Sequence, residues 1–313
     1  MYYIGVDLGG TNIAIGLVDK EGKIIEQRSI PTLKERGIKL ICDDMISLCQ
    51  SLMVDNKLNK EDIHSIGIGT PGEIDSKNGV IVFASNIAMD NFPITETISS
   101  KLGIPTYLAN DADCAALGEV TAGAGKGARN AVIVTLGTGI GGGLIVNGEL
   151  YTGSYPGAGE IGHIVIDYKG RKCGCGRKGC FEQYGSATAL INDAIRAAIA
   201  NPTSQLNYYI KGDYDKMNAK IPFDAAKKGD RIAIEVIGQY LDYLSAGLTN
   251  IVNIFQPDTI IIGGGIAKQG DNLTIPLSNK VKKETFTKEF NTKIEVAKLG
   301  NDAGIIGAAM LGK

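Results

Sequence analysis

Two stretches of the chain, 128 residues apart, carry the same pattern. Tyr2 to Val6 is apolar and β-prone, Asp7-Leu8-Gly9-Gly10-Thr11-Asn12 turns a corner, and Ile13 to Val18 is apolar again. Ala131 to Leu136, then Gly137-Thr138-Gly139-Ile140-Gly141-Gly142-Gly143, then Leu144 to Val146 repeat it. Val6, Leu8, Gly9 and Val18 match Val134, Leu136, Gly137 and Val146, and Asp19 meets Asn147. Strand, glycine corner, strand and turn thus occur twice. The repeat predicts a duplicated α/β fold of two similar domains that face each other. Its copies differ at one point, because Asp7 corresponds to Thr135.

Other elements follow from periodicity. Lys23 to Arg28 extends the first pair into a three-stranded meander. Apolar residues at 38, 41, 45, 48 and 52 have helical spacing. Ser65 to Gly69 and Pro105 to Ala109 read as strands, and Ala112 to Ala122 as a helix. Further helices are expected at Ala187 to Ala200 and Ile232 to Phe255, with a buried strand at Thr259 to Ile262. Asn301-Asp302-Ala303-Gly304 begins an alanine-rich helix expected to return to the first domain. A chain of 313 residues is long enough for about two domains.

Three glycine corners follow strands: Gly9-Gly10-Thr11, Gly137 to Gly143, and Gly263-Gly264-Gly265. Such corners present backbone N–H groups to an anion, since no side chain blocks close approach. The second contains a formal G-x-G-x-x-G, but a dinucleotide site needs a helix next. Here Leu144 to Val146 and the Asn147-Gly148 turn follow, which is a hairpin. A P-loop is absent, because Gly127 follows Gly125-Lys126. Any single corner reads equally well as a tight turn, whereas three together favour a nucleoside triphosphate. Asp7 would repel phosphate unless a divalent cation such as Mg²⁺ lay between them.

Asn110-Asp111 stands at a strand end, where α/β folds place ligands. Asp111 can take the proton of a hydroxyl that attacks a γ-phosphate. The plainer reading is an N-cap for the helix that follows, and the surrounding corners favour catalysis.

Between Gly157 and Glu182 the chain gathers His163, Cys173, Cys175 and Cys180. One imidazole and three thiolates make a closed tetrahedral zinc set, structural rather than hydrolytic. A Cys-x-Cys disulfide fits bridge geometry poorly, and the absence of a secretory signal favours reduced thiols. Glu160 and Glu182 flank these ligands and remain free to accept hydrogen bonds. Cys42, Cys49 and Cys114 lie in apolar helical patterns and read as small buried hydrophobes.

A net charge of −2 lacks the basic excess that nucleic acid requires. No apolar run approaches the roughly 20 residues of a membrane span. A cytoplasmic protein is expected, with neither nucleic-acid nor membrane partners.

Asp7-Leu8-Gly9-Gly10-Thr11, Asn110-Asp111, Leu136-Gly137-Thr138-Gly139, Gly159-Glu160-Ile161-Gly162-His163, Cys173-Gly174-Cys175-Gly176 with Gly179-Cys180, and Gly263-Gly264-Gly265 resemble the ROK family of repressors and sugar kinases. The resemblance spans nearly the whole chain. It implies a two-domain actin-like ATPase (ribonuclease H-like) fold with a cleft, and usually a homodimer. The domains expected are residues 1–112 with 300–313, and residues 113–299 with the zinc loop.

The resemblance also implies roles. Asp111 is the catalytic base and a sugar contact. Gly72, Asn86, Asn110, Glu160, His163 and Glu182 bind the sugar, His163 using one ring nitrogen for zinc and the other for a hydroxyl. Asp7, Gly9, Gly10, Thr11, Asn12, Thr138, Gly139, Gly264 and Gly265 bind ATP with Mg²⁺. The expected reaction is transfer of the ATP γ-phosphate to the 6-hydroxyl of a hexose, foremost glucose. N-acetylmannosamine, allose, fructose or a non-catalytic sugar-binding role are the alternatives. A repressor of the family would carry a helix-turn-helix ahead of the first strand, and a strand beginning at Tyr2 is expected to leave no room for one. The chain departs from the family at Asn86-Ile87-Ala88-Met89, where glucokinases often read Asn-Leu-Gly-Trp.

Overall fold

The computed structural model describes residues 1–313 apart from Ser85, Asn86, Ala88 and Pro156, with the backbone alone at Met89. The expected three-stranded meander is β1 (Tyr2–Leu8), β2 (Asn12–Asp19) and β3 (Ile24–Pro31), antiparallel throughout. The edge strand β3 alternates between half-buried and exposed, as a strand with one wet face should. Strand β1 is central and almost wholly buried, pairing in parallel with β4 (Ile63–Thr70). Strand β8 (Thr106–Asn110) pairs in parallel with β4, giving the order β3-β2-β1-β4-β8.

The second copy forms in the same way. Strands β9 (Ala131–Leu136), β10 (Ile140–Val146), β11 (Glu149–Leu150), β12 (Thr259–Gly263) and β13 (Lys293–Val296) run in the order β11-β10-β9-β12-β13. Both sheets therefore place their strands in one sequence of connections, which is the duplication expected from the repeated corner. Asn147 and Gly148 both have positive φ, 56° and 89°, as a two-residue hairpin turn requires. A strand rather than a helix follows the Gly137 corner, so the dinucleotide reading is excluded.

Helix α1 (Ile38–Asp55) buries Ile41, Met45 and Leu52 at the predicted spacing. Cys42 and Cys49 lie on that buried face, and burial pushes both thiols up to about 12. A small antiparallel sheet of β5 (Glu73–Asp75), β6 (Val80–Ala84) and β7 (Met89–Phe92) was not expected. Helix α2 (Ile94–Leu102) follows and stops at Gly103, whose φ is 67°.

Two compact units divide the chain. The first holds residues 1–133, 143–159 and 297–313, and the second residues 134–142 and 160–296. The expected boundary at 112/113 falls within helix α3 (Asp111–Ala122), all of which lies in the first unit. The reason is close packing against α10 (Asp302–Met310). A Cβ on Gly118 would sit 2.2 Å from the Ala303 carbonyl oxygen, and one on Gly307 1.6 Å from that of Cys114. The other face of α10 presses on the sheet at Gly5 and Gly67, with Tyr3, Val18, Ile305 and Met310 in its core. Helix α10 thus returns to the first unit as expected.

In the second unit, α4 (Glu182–Gly185), α5 (Ala187–Ala200), α6 (Gln205–Ile210), α7 (Lys220–Lys227), α8 (Arg231–Phe255) and α9 (Asp271–Glu284) complete the helices. Phe181, next to Cys180, is fully buried under Gly247 of α8. Tyr240 of α8 is buried too and donates to the Gly185 carbonyl at 2.8 Å. The expected helices at Ala187 to Ala200 and Ile232 to Phe255 match α5 and α8. Among the described residues, no helix is long and apolar enough to cross a membrane.

Candidate active site

In the first unit, β1 and β8 bring two aspartates into electrostatic contact. Asp7 is the penultimate residue of β1, and Asp111 follows β8 as the first residue of α3. Burial first, and then the negative charge of Asp111, raise the Asp7 carboxyl to about 6. Desolvation of its carboxyl by burial likewise raises Asp111, against the pull of the Ala112 and Asp111 backbone N–H groups. The Asp111 residue as a whole remains open to solvent, which a group meeting substrate requires. Asp7 makes no ion pair among the described residues.

Asn110 is the N-cap of α3, accepting the Ala112 N–H at 2.9 Å. Its amide donates to the Gly72 carbonyl at 3.2 Å, so two expected sugar-side positions are joined directly. Asp111 shares the Ala112 N–H, but Asn110 already supplies the cap. The capping reading of Asp111 is therefore secondary. Gly9 closes its corner through N–H donation to the Asn12 carbonyl, and Thr32 braces it by donating to the Gly9 carbonyl at 2.6 Å.

In the second unit, His163, Cys173, Cys175 and Cys180 converge, their ligand atoms all within 4.8 Å of one another. Cys175 and Cys180 sulfurs are 3.6 Å apart, and the Cys173 sulfur is 3.7 Å from His163 Nδ1. A tetrahedron with Zn–S bonds of about 2.3 Å has sulfur–sulfur edges of roughly 3.7–3.8 Å. The four residues fit zinc on that test, and all six cysteines are free of disulfides. His163 turns Nδ1 to the cluster, which leaves Nε2 for another partner. Arg171 fixes the loop, ion-paired with Asp193 of α5 and stacked on Tyr184 at 4.5 Å.

Glu182 links this cluster to the second corner. Its Oε1 is 3.0 Å from the Cys173 sulfur, and its Oε2 lies 2.5 Å from where a Cβ on Gly139 would be. Gly264, with φ 86°, would place a Cβ 2.3 Å from the Leu136 carbonyl oxygen, so the second and third corners adjoin. Beyond Gly265 opens a cavity of about 220 Å³, lined by Lys220, Asp224 and Lys227 of α7 with Lys268 and Gln269. The Glu160 carboxylate is exposed.

The structure thus gathers Asp7, Gly9 to Asn12, Gly72, Asn110 and Asp111 in one unit. It gathers Thr138, Gly139, Glu160, His163, Glu182, Gly264, Gly265 and the metal cluster in the other. Asn86 lies outside the described residues. Sequence reasoning missed the lysines of the cavity, since surface lysines carry no positional signal. It also missed Glu119, whose place in an alanine-rich helix gives no hint of burial.

Two sheets of one strand order, with glycine corners and a Cys3His cluster, define a duplicated α/β protein of the actin-like ATPase fold. The chain belongs to the ROK family, whose profile matches residues 3–313. It is 38% identical to a glucokinase of Halalkalibacterium halodurans over 100% of this chain and 95% of that protein. A glucokinase of Thermotoga maritima is 38% identical over 98% of this chain and 96% of its own. Among solved structures, the Streptomyces griseus ROK glucokinase in complex with glucose and AMPPNP superposes with a TM-score of 0.78, at 33% identity over 99% of both chains.

Proposed function

We propose that the chain is an ATP-dependent hexose kinase that phosphorylates glucose at its 6-hydroxyl. The observation that carries this reading is Asp111, a solvent-open residue whose desolvated carboxyl is raised in pKa, beside the electrostatically coupled Asp7. The relatives support it, being glucokinases at this level of identity.

In this reading the sugar O6 attacks the γ-phosphorus, and the bond from that phosphorus to the bridging oxygen breaks. ADP leaves with the bridging oxygen, and the hydroxyl proton passes to Asp111. A base of raised pKa holds that proton better, and its pKa lies nearer the working pH. Asn110, Gly72, Glu160, His163, Glu182 and Asn86 would orient the hydroxyls. The three glycine corners would receive the nucleotide, with the cavity beyond Gly265 at the far end of the third. Asp7, an acceptor with no ion-pair partner among the described residues, suits a divalent ion, and Mg²⁺ would neutralise phosphate charge there. His163, Cys173, Cys175 and Cys180 would hold zinc, which cross-links the loop that carries Glu160 and Glu182. A cytoplasmic homodimer completes the reading.

A coupled ADP-release assay over glucose, mannose, allose, fructose, N-acetylglucosamine and N-acetylmannosamine tests it. Glucose is expected to give the highest kcat/KM. A higher value for an acetamido sugar would overturn glucose and keep the kinase. Sugar binding without ADP release from any hexose would overturn the kinase.

A further inference from the structure

Glu119 carries a completely buried carboxylate in the last turn of α3. That is a poor place for a negative charge, since the helix dipole presents its negative end there. Burial adds a desolvation penalty that a well-packed apolar residue would avoid. What offsets both is a set of backbone donors from two separate segments. Oε2 accepts the Ala124 N–H at 2.7 Å, and Oε1 accepts the Lys298 and Leu299 N–H groups at 2.9 and 2.8 Å. Those partners are 179 and 180 residues further along the chain.

The contacts continue from there. The Leu299 carbonyl accepts the Asp302 N–H at 3.1 Å, which starts α10. Gly304, in the first turn of α10, lies against Asp7, whose Oδ2 is 3.2 Å from the position of a Cβ there. Asp111 begins the helix that ends near Glu119. A closed path therefore runs from Asp111 along α3 to Glu119, across to Leu299, into α10 and back to Asp7.

We propose that Glu119 is a positioning residue, which tethers the turn into α10 and so fixes Asp7 relative to Asp111. The proposal rests on the kinase reading for its kinetic consequence. Glu119 touches no reacting atom, and it acts through the backbone of residues 298 and 299. An apolar side chain of similar size would fill the space and leave three partly buried N–H groups without their acceptors. The turn would then shift to find water, and α10 would shift with it.

The test compares Glu119→Ala and Glu119→Gln with the wild type. Gln keeps one oxygen for Lys298 and Leu299 and loses the acceptor facing Ala124. The expected result is a kcat loss on the order of 10–100-fold in Glu119→Ala and a smaller loss in Glu119→Gln. Hexose Kd, measured calorimetrically without nucleotide, should be unchanged, and deuterium uptake at residues 297–304 should rise. A folded Glu119→Ala protein with wild-type kcat overturns the proposal, and so does equal loss of hexose binding. Should Glu119→Ala fail to fold, Glu119→Gln alone decides: wild-type kcat and wild-type exchange at 297–304 would sink the idea. An inactive wild type would instead defeat the kinase reading. The exchange measurement would still decide whether Glu119 holds the turn.

Discussion

Oε2 of Glu182 lies 2.5 Å from the point where a Cβ on Gly139 would sit. A glycine of the second corner is thus in contact with a carboxylate of the metal loop. The clash in Gly139→Ala falls on the free end of a flexible side chain, so the carboxylate moves and the backbone stays. The expected outcome is a melting temperature within about 2 °C of wild type and a hexose KM raised on the order of 10-fold. Gly139→Ala combined with Glu182→Ala should be no worse than Glu182→Ala alone. Additive losses in steady-state kinetics would show that the two positions act independently.

Asp111→Asn should lower kcat by about 10²–10⁴-fold with hexose binding preserved. Helix α3 should persist, because Asn110 caps it. Asn110→Ala behaves differently. It loses the cap, which costs about 1 kcal/mol of stability, and the bond to Gly72 as well. Kinetics beside chemical denaturation separates the two variants.

Asp7 gives a pH-dependent stability of defined sign. Its folded pKa of about 6 stands above the ordinary 3.8, because burial disfavours the charged form. The stability it contributes is complete below about pH 4 and is lost as pH rises through about 6. In magnesium-free buffer, Asp7→Asn should therefore melt higher than wild type at about pH 7.5, and the difference should vanish near pH 4. The variant should also be inactive. A lower melting temperature at the neutral pH would show that the carboxylate is stabilised in place.

Protein purified without chelator should carry about one zinc per chain. Cys175→Ser should lose it, although Cys175 is exposed and its loss opens no cavity. Because Glu182 contacts Cys173, hexose affinity should fall along with metal content. Elemental analysis paired with calorimetry reads both, and full metal occupancy in Cys175→Ser would remove that residue from the ligand set.

Much of this was legible in the chain because glycine corners and periodicity are local. The repeat of Val6 to Val18 at Val134 to Val146 announced two sheets, and both have the same strand order. His163 and the three cysteines were legible because metal ligands keep characteristic spacing. The sheet of β5, β6 and β7 was missed, since strands of three to five residues show too little alternation to read. The expected boundary at 112/113 cut into helix α3, because its partner α10 lies far along the chain. Glu119 was invisible for the same reason. Its acceptors serve residues 298 and 299, and nothing near position 119 records that.

The seat of α10 on the first sheet has a consequence for synthesis. The groove at Gly5 and Gly67 is made early, and the helix that fills it spans Asp302–Met310. At ribosomal speeds of about 5–20 residues per second, Asp302 emerges roughly 10–40 s after Asn110. During that interval the earliest-made sheet must wait with an apolar face uncovered. The second unit, complete at residue 296, can fold first. The order of folding on the ribosome would thus reverse the order of translation, and chaperone dependence should concentrate in the part of the chain made first.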